Sequence, residues 1–263
     1  MRIKLVVAYD GTDFRGWAAQ TEQRTVQSTL TNAVRLVSGE EIEIQGASRT
    51  DSGAHAKGQV CHFDTHRGIP VEKWPSVLNK VLPPDLAVVS AKKVQPEFNS
   101  RFYAQDRWYR YRISTGDPDP HRSRFHHCYG KPLNLERMQA AAEVFLGEHD
   151  FRAFTEELDF HTLNTVRKIF RFEVNRVRDE VWVDVVGTAF LRGMMRRMSG
   201  AILEVGRGYR PVEEVSKLLE LKERENIQWP VVLPARGLCL MRVRYERRPK
   251  DSRLNKNLKD PQG

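Results

Sequence analysis

Ile3-Lys4-Leu5-Val6-Val7-Ala8-Tyr9, followed by Asp10-Gly11-Thr12-Asp13, opens the chain with an apolar run and then a turn. Such a run, ended by an Asp-Gly turn, predicts a strand. Beyond it, Val26, Leu30, Ala33, Val34 and Val37 recur at the spacing of one helical face. Thr25 stands where an N-cap belongs and Gly39 follows the last apolar position, so a helix is expected over 25–37. Short β-like runs at 41–47 and 59–64, a helix over 71–81 stopped by Pro83-Pro84, and a strand over 86–94 complete a β-α-β, β-α-β order. The second half reads as a longer version of the same alternation. Strands are expected at 108–114, 165–177, 181–186 and 238–245, and helices at 134–146, 190–205 and 212–221. The expectation is an α+β protein of two tandem units, 1–105 and 106–246, crossing over near 96–107. A polar, basic tail at 247–263 is expected to lack fixed structure.

Composition narrows the class. Of 263 residues, 40% are hydrophobic and 29% charged, which excludes a mainly disordered or fibrous chain. No apolar run approaches the ~18 residues of a membrane span, and the N-terminal run is too short for a signal peptide. Cys61, Cys128 and Cys239 lie far apart and form no CxxC pair. They read as buried thiols of a cytoplasmic protein, not as a disulfide framework or a zinc site. The net charge is +9, and the excess is uneven: residues 1–105 carry 13 Lys+Arg against 11 Asp+Glu, and 106–263 carry 30 against 23. Arginine-rich excess suits a polyanion, and nucleic acid is the commonest one; a basic protein with no such partner is the plain alternative.

Three stretches could carry chemistry. Ser48-Arg49-Thr50-Asp51-Ser52-Gly53-Ala54-His55 is either an Asp-Ser-Gly turn whose Asp bonds its own backbone, or a loop presenting Asp51 as a catalytic carboxylate. In the second reading the guanidinium of Arg49 favours the ionised carboxylate that a nucleophile needs. In Arg107-Trp108-Tyr109-Arg110-Tyr111-Arg112-Ile113, strand alternation puts Tyr109, Tyr111 and Ile113 on one face and Trp108, Arg110 and Arg112 on the other. One face could stack a base and the other hold phosphate, or both could be ordinary core and surface. In Phe190-Leu191-Arg192-Gly193-Met194-Met195-Arg196-Arg197-Met198-Ser199-Gly200, Arg192 and Arg196 fall one helical turn apart. Gly193 and Gly200 would weaken a helix by about 1 kcal/mol each unless another backbone must come close. Other signals fail. Gly206-Arg207-Gly208 lacks a third glycine and follows a helix. No P-loop occurs, and no histidine group has metal-ligand spacing, so neither cofactor nor metal is expected.

Taken in order, these stretches resemble the tRNA pseudouridine synthase A family. Tyr9-Asp10-Gly11-Thr12-Asp13-Phe14-Arg15-Gly16-Trp17 is similar to its YDGxxFxGW opening, and Val26-Gln27 to the VQ of its first helix. Ser48 to Ala56 resembles its GRTDAGVHA catalytic motif, followed by Gly58-Gln59-Val60. Phe98-Asn99-Ser100-Arg101-Phe102 resembles FxARF, Tyr109-Arg110-Tyr111 the YRY segment, Phe190 to Arg196 the FxxxMxR helix, and Glu204-Val205-Gly206 its EVG. Ser48, Ser52 and Ala54 replace the commoner Gly, Ala and Val of the loop, and Ala18 replaces Gln, while Arg49, Asp51 and Gly53 are kept. The resemblance implies two ferredoxin-like α/β-sandwich halves with antiparallel sheets around a central cleft. It also implies cofactor-free isomerisation of uridine to pseudouridine in the tRNA anticodon arm, at positions 38 to 40, by a cytoplasmic homodimer. Asp51 would be the essential carboxylate, acting as nucleophile or base. Arg49 would pair with it and help hold the base out of the stack, Tyr109 would stack on the uracil, and Arg196 would complete an Asp–Arg network. Arg15, Arg110, Arg112, Arg192, Arg197 and the tail are candidate phosphate contacts. Two rivals stand beside this reading: a non-catalytic tRNA-binding protein, and a nucleoside hydrolase that releases free base.

Overall fold

The computed structural model describes residues 1–155, 164–221 and 230–246; the expected tail at 247–263 lies outside them. The elements run β1 Arg2–Tyr9, α1 Val26–Ser38, β2 Gln45–Gly46, β3 His55–Asp64, α2 Trp74–Leu78 and β4 Leu86–Val94. They continue with β5 Asp106–Ser114, β6 His127–Cys128, α3 Leu135–Glu143, β7 Gly147–Asp150, β8 Val166–Val177, β9 Glu180–Gly187, α4 Met194–Gly206, α5 Glu213–Glu220 and β10 Leu238–Arg244. Among the described residues no helix is long and apolar enough to cross a membrane.

In the first half β4, β1, β3 and β2 lie side by side in that order; in the second half β10, β5, β9 and β8 do. Numbered within each half, with the short β6 and β7 set aside as additions to the second, both read 4-1-3-2, the order of a β-α-β-β-α-β ferredoxin-like unit. The α+β expectation is thus met twice. The two sheets are not separate, however. β10 pairs antiparallel with β5 and parallel with β3, so one mixed sheet runs through the molecule and the last of the described strands is its seam.

Local sequence explains the elements. Ile3, Leu5, Val7 and Tyr9 point into the core while their neighbours are half-buried, so β1 has one covered face. Thr25 caps α1 by accepting from the Ser28 backbone N–H, and Gly39 ends it at φ 70°. The expected helix at 71–81 shrinks to a 3-10 turn and the five residues of α2. Asn79 is the reason: its side chain takes the place of a strand partner, donating to Val88 O at 2.9 Å and accepting from Val88 N–H at 2.7 Å. The expected strand at 41–47 keeps only Gln45 and Gly46 on the ladder. The helix expected from 190 begins at Met194, because Gly193 takes φ 71° and turns the chain just before it. Arg192 therefore precedes the helix and shares no helical face with Arg196. Gly193 carries no mid-helix cost, whereas Gly200 does what a helical glycine is kept for: a Cβ there would lie 2.0 Å from Val231 O.

Candidate active site

The loop 48–54 is pinned on all sides. Tyr9, at the end of β1, hydrogen-bonds Thr50 Oγ1 through its hydroxyl at 2.8 Å. The N–H of Trp17 donates to Thr50 O at 3.1 Å, that of Gly53 to Phe14 O at 3.2 Å, and that of Ala54 back to Asp51 O at 3.1 Å. Gly53 takes φ 80°, which a side chain would resist. Gly11 lies so close to the loop that a Cβ would fall 1.8 Å from Ala54 O, and one at Gly16 2.7 Å from Thr50 O. The Tyr9 to Trp17 stretch is thus the cradle of the 48–54 loop. The backbone turns at Asp51 as expected, but through its carbonyl; the carboxylate does not bond its own backbone among the described residues and is about a quarter exposed at 23%.

Its partner comes from the other half of the chain. Arg196, in the first turns of α4, donates from Nη1 to Asp51 Oδ2 at 3.2 Å and from Nε to Leu233 O at 2.7 Å. One guanidinium thus ties the carboxylate to the 230–237 segment. The same segment anchors the strand below, since the Tyr111 hydroxyl donates to Pro234 O at 2.7 Å. Tyr109, one step along β5 on the same face, is buried and packs edge-to-face against Phe190 at 5.0 Å. Burial pushes its phenol up to about 12; the nearby Ser48 hydroxyl and the Arg107 guanidinium offset part of this, and the Asp51 charge adds to it.

Arg49 is exposed, and among the described residues it makes no hydrogen bond or ion pair, so the expected Arg49–Asp51 pair is not formed; Arg196 makes the contact instead. On the Trp108 face of β5 the candidate phosphate arginines are paired with the protein's own carboxylates. Arg110 pairs with Asp184 at 3.0 Å and lies 3.9 Å over the Trp182 ring, and Arg112 pairs with Glu180 at 2.7 Å. Both carboxylates are almost fully buried, so these arginines neutralise the protein's own charge. Two features were missed in the sequence. Arg107 is buried on the Tyr109 face, a position its parity in the strand could have shown. The 230–237 segment was legible only as Pro230, Pro234 and Gly237, whose absent side chain leaves room for the Tyr111 ring.

A family model described as tRNA pseudouridine synthase matches residues 5–103 and 141–246. The tRNA pseudouridine synthase A of Brevibacillus brevis is 40% identical over 248 residues, covering 93% of this chain and 99% of that one. That of Clostridium kluyveri is 38% identical over 244 residues, covering 92% and 99%. That of Citrifermentans bemidjiense is 39% identical over 246 residues, covering 93% and 97%. The chain belongs to the tRNA pseudouridine synthase family. As a tRNA pseudouridine synthase it is an isomerase with the pseudouridine synthase fold, and the resemblance read from its motifs is borne out along nearly the whole chain.

Proposed function

We propose that this chain converts uridine to pseudouridine in the anticodon arm of tRNA, at one or more of positions 38, 39 and 40. The observation that carries the reading is the Asp51–Arg196 pair, drawn from opposite halves of the chain and set beside Tyr109. The N1–C1′ bond of the uridine breaks, the uracil turns, and C5 bonds to C1′; the hydrogen on C5 is released and N1 takes one up. Neither bond can be reached inside a paired stem, so the base must leave its stack. Asp51 acts at the sugar or the base as nucleophile or base, and Arg196 orients it. Tyr109 takes the uracil face. Arg49, exposed and unpaired among the described residues, is available to fill the space the base leaves. The two units of the chain, 1–105 and 106–246, form the walls of the cleft. By the family resemblance, the enzyme works as a cytoplasmic homodimer.

Tritium release from a [5-³H]uridine-labelled tRNA transcript, in chelator, tests this reading. Wild type should release tritium, and Asp51→Asn should be slower by about 10²–10⁴-fold while still binding tRNA, the usual size of a lost catalytic acid or base. Release by the variant at the wild-type rate would remove Asp51 from the mechanism. Binding without release by wild type would favour the non-catalytic tRNA-binding reading.

A further inference from the structure

We infer that the turn over residues 99–103 presents Phe102 as a stacking platform for an unpaired RNA base next to the target uridine, an inference that rests on the functional reading above. Phe102 is 76% exposed, and no other large apolar side chain among the described residues is more so. A single exposed apolar side chain is ordinary. The way this one is held is not.

The turn is fixed from within. Asn99 Oδ1 accepts from the N–H groups of Arg101 and Phe102 at 2.9 and 3.0 Å, and Tyr103 N–H donates to Asn99 O at 3.1 Å. Ser100, fully buried, donates from its hydroxyl to Gln45 O at 2.8 Å. The ring is therefore held in water by a rigid backbone.

The turn is also tied to the catalytic machinery through one buried side chain. The guanidinium of Arg107 donates to the carbonyls of Arg101 at 3.0 Å and Ala104 at 3.3 Å, on either side of Phe102. It also donates to Ala47 O at 3.1 Å, at the root of the Asp51 loop, and to Thr188 O at 2.7 Å. Thr188 leads to Phe190, which packs on Tyr109. Four carbonyls from three segments share one fork, so the position of Phe102 is set relative to Asp51 and Tyr109.

The chemistry beside the ring selects the ligand. The Arg101 guanidinium lies 5.8 Å from the Phe102 ring centre, is exposed, and makes no ion pair among the described residues. An exposed ring with an uncommitted guanidinium over one face matches a nucleotide: the base stacks on the other face of the ring and its phosphate meets the charge. Any base offers a π-face, so the platform tolerates different neighbours of the target.

Equilibrium binding of an unmodified tRNA transcript tests the platform, with tritium release measured beside it. Phe102→Ala and Phe102→Leu should weaken binding roughly 5- to 150-fold, the range for losing one base–aromatic stack. Phe102→Trp should keep wild-type affinity, with its indole fluorescence quenched when tRNA is added. The slope of log affinity against log salt should be unchanged in Phe102→Ala and smaller by roughly 0.7 to 0.9 in Arg101→Ala. Wild-type affinity in Phe102→Leu, with wild-type turnover intact, would overturn the platform alone. Absence of tritium release from wild type would instead remove the functional reading.

Discussion

Tyr109 shows how burial defines a residue's chemistry. Its phenol is pushed up to about 12, chiefly by burial, so it stays protonated below that pH. A group that titrates so high adds no alkaline limb between pH 6 and 10. The single-turnover rate of wild type should therefore show no limb in that window that is lost in Tyr109→Phe. Tyr109→Phe keeps the ring and its contact with Phe190, so tRNA affinity should stay within about threefold, less than the loss of a full stack would cause. The rate should fall by about 10²-fold if the hydroxyl moves a proton at C5. A wild-type rate in that variant would confine Tyr109 to packing. Arg196 differs, since it holds Asp51 through a fork that also engages Leu233 O. Lysine cannot reproduce a fork.

At the scale of elements, α4 carries Arg196 and packs so tightly that Gly200 has no room for a methyl group. Gly200→Ala gains helix propensity of about 1 kcal/mol, but the clash with Val231 O must push the helix and the 230–237 segment apart. A net loss of about 1–3 kcal/mol is expected, as for overpacking elsewhere. The rate should fall too, because Arg196 bridges the same two elements. A more stable and fully active variant in urea melts and tritium release would show that the contact is slack. Much of this architecture was legible beforehand. The spacing of Val26, Leu30, Ala33 and Val34 predicted α1 with its cap, and the alternation in β5 put Tyr109 and Tyr111 on one face, which the structure buries. What was not legible was non-local. The stop at Asn79 depends on a strand edge nine residues away, and the seam strand β10 depends on a parallel pairing with β3 that no local pattern announces. The site followed the same division. Asp51, Tyr109 and Arg196 all came from motifs, Arg196 already as part of an Asp–Arg network, whereas the absence of the direct Arg49–Asp51 contact showed only once the two halves were folded together.

For the whole molecule, the net charge of +9 does not say which arginines meet RNA. Each buried carboxylate on the Trp108 face holds an arginine back from solvent. Arg110 is 12% exposed and Asp184 7%, and the pair lies against Trp182. Arg15 is exposed and makes no ion pair among the described residues, and it stands in the stretch that cradles the Asp51 loop. Two substitutions separate these roles. Arg110→Ala strands the Asp184 carboxylate, which among the described residues keeps only the Trp108 indole N–H at 2.6 Å. It should cost about 3 kcal/mol of stability, as breaking a buried pair does, and leave the salt slope of tRNA binding unchanged. Arg15→Ala should leave the melting curve in place and reduce that slope by about 1, the signature of one lost phosphate contact. If Arg110→Ala lowered the slope and left the melt intact, the Trp108 face would be an RNA surface after all. The paired carboxylates would then be exchanging their arginines with phosphate.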